Sequence, residues 1–307
     1  MLNMGKETHM LDQQHVFLGI APIGWTNDDM PELGAENTFE QCVSEMALAG
    51  FSGTEIGNKY PKDAAVLKHK LAVRGMRVAS RWFSSFLITK PLEENIRAFE
   101  AELDFLAATG ANCINVSEQS HSIQGMPDTP VFGNKYEMNE AEWTQFCAGL
   151  NALGKIASDR NFRLCFHHHM GTVVQTAAET TRMLQQTDAK YVYLCYDTGH
   201  FIFAGENPVE MLRQHINRVG HVHLKAVRLQ PLERVHEEKM SFLTAVREGT
   251  FTVPGDGDFD FSPVFELLSG ANYTGWLLVE AEQDPAKANP FEYAKKARAY
   301  IAQHTGL

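Results

Sequence analysis

The sequence predicts an α/β protein built as a single (β/α)8 barrel. Eight short runs rich in aliphatic, aromatic and β-branched residues alternate with longer amphipathic stretches along the whole chain. That alternation is the pattern of parallel strands joined by crossover helices. No Pro-, Gly- or Ser-rich linker and no shift of composition divides the 307 residues. Barrels of this kind fill about 250 residues as one domain, so the length suits one domain with insertions. A doubly wound open sheet is the competing topology for the same alternation.

The eight runs are HVFLGIA from His15, FSGTEIG from Phe51, MRVASRW from Met76, NCINVSE from Asn112, FRLCFHH from Phe162, YVYLCYD from Tyr191, VGHVHLK from Val219 and GWLLVEA from Gly275. Helical periodicity fills stretches between them, as at Thr38 to Ala49, Pro91 to Thr109, Glu140 to Arg160, Gln175 to Gln186, Pro208 to Arg218 and Phe291 to Gln303. Gly50, Gly75, Gly110 and Gly270 stand where a helix must end before the next strand, positions that suit a left-handed residue. Two connections are long, 118–138 after the fourth strand and 225–259 after the seventh. Both follow strand C-termini, where barrel loops build the active face, so they are expected to act as walls or lids. Residues 1–14 carry no such pattern and are expected to be disordered or loosely packed, leaving 15–307 as the barrel.

Lys and Arg total 27 against 38 Asp and Glu, a net charge of −11 that repels a phosphate backbone. Nucleic acid is therefore not an expected partner. The five cysteines are odd in number, widely spaced and form no CxxC pair, so neither a disulfide framework nor a cysteine zinc site is indicated. A reducing cytoplasm is the expected location, and Cys195 is expected to pack rather than react. No apolar run approaches the ~18 to 20 residues of a membrane helix, and the first residues lack the apolar core of a signal peptide. No membrane partner is expected.

The strongest chemical signal is a set of metal-ligand residue types at the ends of consecutive late strands: His167, Asp197, His223 and Glu280. Neighbours in this set are one strand-helix repeat apart, and the last interval adds the long seventh loop. They would meet around the barrel mouth. Two imidazoles and two carboxylates suit a borderline divalent ion such as Mn, Co, Zn or Fe. Strand alternation places His221, His223 and Lys225 on one face, and Cys165, His167 and His169 on another.

Other polar residues stand close to these four. His200 could relay a proton or cap the helix after the sixth strand, and His169 could touch substrate or simply be hydrated. His168 is expected on the opposite face. Lys225, aimed into the mouth, could hold a developing oxyanion. Glu55, at the end of the second strand, could be a base or one half of a surface ion pair. In the loop after the first strand, Trp25, Asn27 and Asp28 could line a polyol pocket or form an ordinary turn. FTVPGDGDFDF, from Phe251, is not a phosphate-binding glycine loop.

GIAPIGWTNDDMPELG, FHHHMGTVVQT, YDTGH, HVHLK and FTVPGDGDFDF, in this order, resemble the myo-inosose-2 dehydratases, a family of xylose-isomerase-like barrels. The resemblance runs from about Val16 to Ala302. It implies loss of water from 2-keto-myo-inositol to give a trihydroxycyclohexane-dione, a requirement for Co or Mn, and glutathione as an additional cofactor. The ligand set of the wider superfamily is Glu, Asp, His and Glu, which falls here on His167, Asp197, His223 and Glu280. The His at 167 departs from that pattern and takes the acid-base role of the superfamily's first Glu away from this position.

Water loss needs a base for the carbon beside the ketone and an acid for the leaving hydroxyl. His200, Glu55 and His169 are the acid-base candidates, with Lys225 holding an oxygen and Trp25 and Asn27 binding substrate. The expected partner is a small cyclic polyol ketone, with a homo-oligomer as the possible assembly. A sugar or inosose isomerase or epimerase, a metal-dependent endonuclease, and a catalytically silent polyol-binding barrel are the alternative readings of the same fold.

Overall fold

The structure, a computed structural model, describes residues 10–307. Each of the eight predicted runs forms a barrel strand: Val16–Ile20, Gly53–Glu55, Arg77–Ser80 continued by Trp82–Ser85, Cys113–Glu118, Arg163–His167, Val192–Asp197, Val219–Leu224 and Gly275–Val279. The third strand is broken at Arg81. Its first piece pairs with the second strand and its second piece with the fourth, all in parallel. The first and eighth strands pair from Val16 opposite Gly275 to Ile20 opposite Val279, which closes the cylinder and rules out the open sheet.

Helices pack outside, and their starts are written in the sequence. Thr38 caps Phe39–Leu48 by accepting from the Gln41 amide, and Asp63 caps Ala64–Ala72 through Ala65 and Val66. Asn139 with Glu142, and Thr176 with Glu179, form reciprocal capping boxes for Glu140–Asp159 and Ala177–Gln186, each satisfying amides that a helix start leaves free. Gly50, Gly75 and Gly110 adopt the expected positive φ. Gly270 does not: it is the last residue of the helix Ser262–Gly270, and Asn272 takes the left-handed conformation at φ 52.

Residues 1–9 of the expected loose extension lie outside the described residues. Leu11 is buried in the main core, and its amide donates to Thr305 O at the end of the C-terminal helix. Of the two long connections, the second has helices and strands of its own. The 225–259 segment contains helices Leu229–Glu237 and Phe242–Arg247 and an antiparallel ribbon of Ala226–Val227 with Phe251–Thr252. A bridge between Pro130 and Ser241 ties it to the 118–138 segment. Met30, Val131, Met170, Phe203, Phe242 and Phe251 fill a second apolar core beneath these segments, so the roof over the barrel mouth is packed rather than hinged.

Gly53 shows how tightly the barrel itself is filled. A Cβ there would stand 2.2 Å from the Trp276 ring, and overfilling of this kind costs about 1–3 kcal/mol. Gly53→Ala is expected to lower unfolding stability by that amount in urea titrations, and an unchanged midpoint would contradict the packing.

Candidate active site

Four strand ends deliver their side chains to one place. Asp197 Oδ2 lies 3.3 Å from His167 Nε2, 3.4 Å from His223 Nδ1 and 3.5 Å from Lys225 Nζ. Ligand atoms of Asp197, His223 and Glu280 all fall within 4.8 Å of one another. Donors about 2.0–2.2 Å from a tetrahedral ion stand roughly 3.3–3.6 Å apart, so the spacings around Asp197 are those of a coordination sphere. Strand pairing produces this, because His167 is level with Cys195 on the next strand and Asp197 is level with His223 on the one after.

The two imidazoles stand in different chemical states. His223 Nε2 is 3.0 Å from Glu55 Oε1, while its buried Nδ1 has no hydrogen-bond partner. A ring that donates Nε2–H to a carboxylate leaves Nδ1 as the free lone pair. His167 Nδ1 is also buried without a hydrogen bond, while its Nε2 faces Asp197 Oδ2. Burial holds His167 down at about 3, so this imidazole is neutral at ordinary pH, the form that binds metal. Burial also opposes charge on His223, but Cys195, Glu55 and Asp197 around it win and raise its pKa. A proton thus stands in for the cation this position attracts.

Charge makes the same point. Asp197 and Glu282 are buried carboxylates, Glu280 is a partly buried one, and Lys225 is the ammonium among them. Its Nζ bonds Glu280 and lies 2.7 Å from Glu282. With all three carboxylates ionised, these four groups carry a surplus of two negative charges, the charge of one divalent ion. Without that ion, burial and the neighbouring charge of Glu282 push Glu280 up to about 8. Burial opposes ionisation of Glu282 as well, yet Lys225 and His169 hold it down at about 2.

A cavity of about 330 Å³ opens onto this cluster, within the size range of small-molecule sites. Glu55, His167, His169, His223, Glu280 and Glu282 form its polar floor. Trp82 supplies the apolar wall, with its ring 5.3 Å from that of His167 and 5.7 Å from that of His169. Asp28, Asn58 and Arg81 lie nearer the rim. Gln124 Nε2 donates to Asp29 Oδ2 at 2.9 Å, joining two loops across the mouth.

Several expected site residues occupy other places. Trp25 is buried at 1% exposure with its indole N–H donated to Glu45, and Asn27 accepts from the Asp29 and Met30 amides. They shape the first loop and do not line the cavity, because the turn directs Asp28 and Asp29 there instead. Lys225 and His200 are both fully buried behind the wall, and His200 Nε2 accepts from Lys225 Nζ at 3.0 Å. Neither contacts the cavity. His200 does sit in the helix after the sixth strand, whose start Asp197 caps through the His200 amide. His168 faces outward and stacks on Phe201 at 3.8 Å. Glu55 is neither free nor on the surface: Ser80 Oγ, Asn115 Nδ2 and His223 all converge on its Oε1.

Glu282 and Trp82 belong to the site and were not singled out from sequence. Glu282 follows Glu280 by two residues, the same alternation that links His167 to His169 and His223 to Lys225, and that signal was available. Trp82 follows the break in the third strand, which periodicity does not reveal.

Residues 43–304 match the family model described as xylose isomerase-like TIM barrel. An inosose dehydratase of Clostridium beijerinckii is 60% identical over 298 residues, covering 97% of this chain and 100% of its own. The chain belongs to the inosose dehydratase family. A second member, from Geobacillus thermodenitrificans, is 58% identical over 298 residues with the same 97% and 100% coverage. Among solved structures, the probable 3-DHS dehydratase AsbF from Bacillus anthracis superposes with TM-score 0.70 at 13% identity, over 93% of this chain and 98% of that one. A D-psicose 3-epimerase gives TM-score 0.70 at 18% identity, over 95% and 100%. These two likenesses show the barrel fold that the family shares with distant enzymes.

The buried charge cluster makes a stability prediction. Removing one partner of a buried ion network costs about 3–5 kcal/mol. Lys225→Met is expected to lose that much in chelator-treated protein, measured by denaturant titration. A loss below about 1 kcal/mol, the worth of a surface pair, would show that Lys225 does not hold the carboxylates.

Proposed function

We propose that the cavity takes an inosose, the ketone of a six-membered polyol ring, and removes water from it. The meeting of His167, His223 and Glu280 around Asp197 carries this reading, in a chain 60% identical to an inosose dehydratase. The ion these four would hold polarises a ketone and acidifies the adjacent C–H. Manganese or cobalt fits a mixed set of nitrogen and oxygen donors.

His169 is the base this geometry favours. Its Nδ1 lies 2.8 Å from Met170 O, and a carbonyl can only accept, so Nδ1 carries the hydrogen and Nε2 keeps its lone pair. Nε2 is on the cavity side, 3.8 Å from Glu282 Oε1. The imidazole takes the proton from the carbon between ketone and leaving hydroxyl. The C–H electron pair forms the new C=C bond as the C–O bond breaks, and the imidazolium, steadied by Glu282, returns the proton to the departing oxygen. Glu55, anchored by Ser80 and Asn115, positions His223. Lys225 positions Glu280 and Glu282. Trp82 offers a flat surface to the C–H face of the ring.

The proposal extends to 15–307 acting as one catalytic barrel, to a neutral polyol rather than a nucleic acid as partner, and to inositol breakdown in the cytoplasm. All five cysteines are buried and unpaired, as a reducing compartment favours. No helix of the described residues is long and apolar enough to cross a membrane.

The test is turnover of 2-keto-myo-inositol followed in the ultraviolet, with and without added glutathione. Dehydration creates a conjugated product that absorbs there, whereas isomerisation does not. Activity is expected to vanish on chelation and return with Mn or Co. His169→Gln is expected to lower kcat by about 10²–10⁴, the usual worth of a general base, with metal content unchanged. Full turnover after chelation, or a His169→Gln enzyme as fast as the parent, would defeat the reading.

A further inference from the structure

A second cavity, of about 320 Å³, opens at the opposite, N-terminal mouth of the barrel. Arg77, Arg163, Asn112, Cys113, His221 and Trp276 are among its lining residues, and no carboxylate is. In a chain of net charge −11, an opening walled by cations without acids is unusual. Both arginines begin a barrel strand and reach across the mouth. The Arg77 guanidinium lies over the Phe17 ring at 3.9 Å and over the Trp276 ring at 4.9 Å. Arg163, from the far side, donates Nη1 to Thr274 O at 3.4 Å. Two guanidiniums therefore arrive beside the same segment, Thr274 to Trp276.

Neither has a carboxylate partner among the described residues. Asp12, close to this mouth in sequence, is engaged with His15 at 2.6 Å. Burial lowers the basicity of Arg77, and no anion opposes the effect. Two guanidiniums on one cavity that no carboxylate lines make it electropositive, and an anion that bonds both is favoured there. Guanidinium forks match the oxygens of a phosphate, bond them in pairs and keep their charge at all working pH values. The cavity is larger than a bare phosphate requires, which leaves room for a small organic remainder.

We propose that this mouth binds a phosphate group, free or as the monoester of a small metabolite, between the Arg77 and Arg163 guanidiniums. The site is separate from the catalytic cavity, which opens at the other end of the barrel.

The experiment titrates the full-length, metal-loaded protein with inorganic phosphate and with glycerol phosphate, reading intrinsic tryptophan fluorescence and thermal stability. A saturable response is expected, with none to myo-inositol. Arg77→Gln and Arg163→Gln are each expected to weaken binding at least about tenfold, the effect of losing a charge-assisted pair. Turnover without phosphate is expected to be unchanged in both. Because the variants keep the metal site, any phosphate response arising there persists in them and is separated from the mouth. Tighter binding of the monoester identifies a phosphorylated metabolite as the occupant, and equal binding identifies the free anion. If a glutamine variant fails to fold by circular dichroism, Arg77→Lys and Arg163→Lys replace it, since they keep the charge and lose the fork. No saturable response to either probe, or undiminished binding in the variants, would overturn the proposal.

Discussion

An imbalance of buried charge governs this molecule. Asp197, Glu280 and Glu282 come from two strand ends to the cluster at the floor of the cavity, and Lys225 is the only ammonium bonded to them among the described residues. Burying an uncompensated carboxylate is expensive enough that the group takes up a proton instead, and the upward push on Glu280 shows that response. A divalent cation relieves the imbalance and is held by the same atoms that create it. Folding and ion binding are thus parts of one electrostatic problem, as in other proteins whose ligands are buried.

The barrel meets this demand with rigid parts. Each ligand candidate stands at a strand end fixed by parallel pairing on both sides, and His223 and Glu280 each have a residue that orients them. Glu55 fixes the tautomer of His223, while Ser80 and Asn115 fix Glu55. Lys225 spans Glu280 and Glu282. The roof follows the same plan, because Phe203, Phe242 and Phe251 pack the connection after the seventh strand into its own apolar core. A site held within fractions of an ångström favours chemistry that depends on the position of a single proton.

Much of this was legible before any coordinates. The eight strands followed from periodicity because each is a short apolar run with a clear helix after most of them. His167, Asp197, His223 and Glu280 stood out because a barrel repeat turns equal spacing in sequence into adjacency in space. What failed to show was determined by side-chain direction across long separations. Lys225 shares the inward face of its strand, yet it bends toward Glu282 and away from the cavity, and nothing local to HVHLK encodes that. Trp25 looked like a sugar platform, but the turn after the first strand sends its ring toward Glu45 and leaves that wall to Trp82, far along the chain. Asn27 was consumed by the turn it stabilises, a frequent fate of Asn in loops.

Anomalous diffraction from crystals grown with manganese, recorded at the metal's absorption edge, addresses the central claim most directly. The account predicts one strong peak within bonding distance of Asp197 Oδ2, His223 Nδ1, His167 and Glu280, with Glu55 still on His223 Nε2. A peak elsewhere, or none with the Lys225 ammonium filling that point alone, would contradict it.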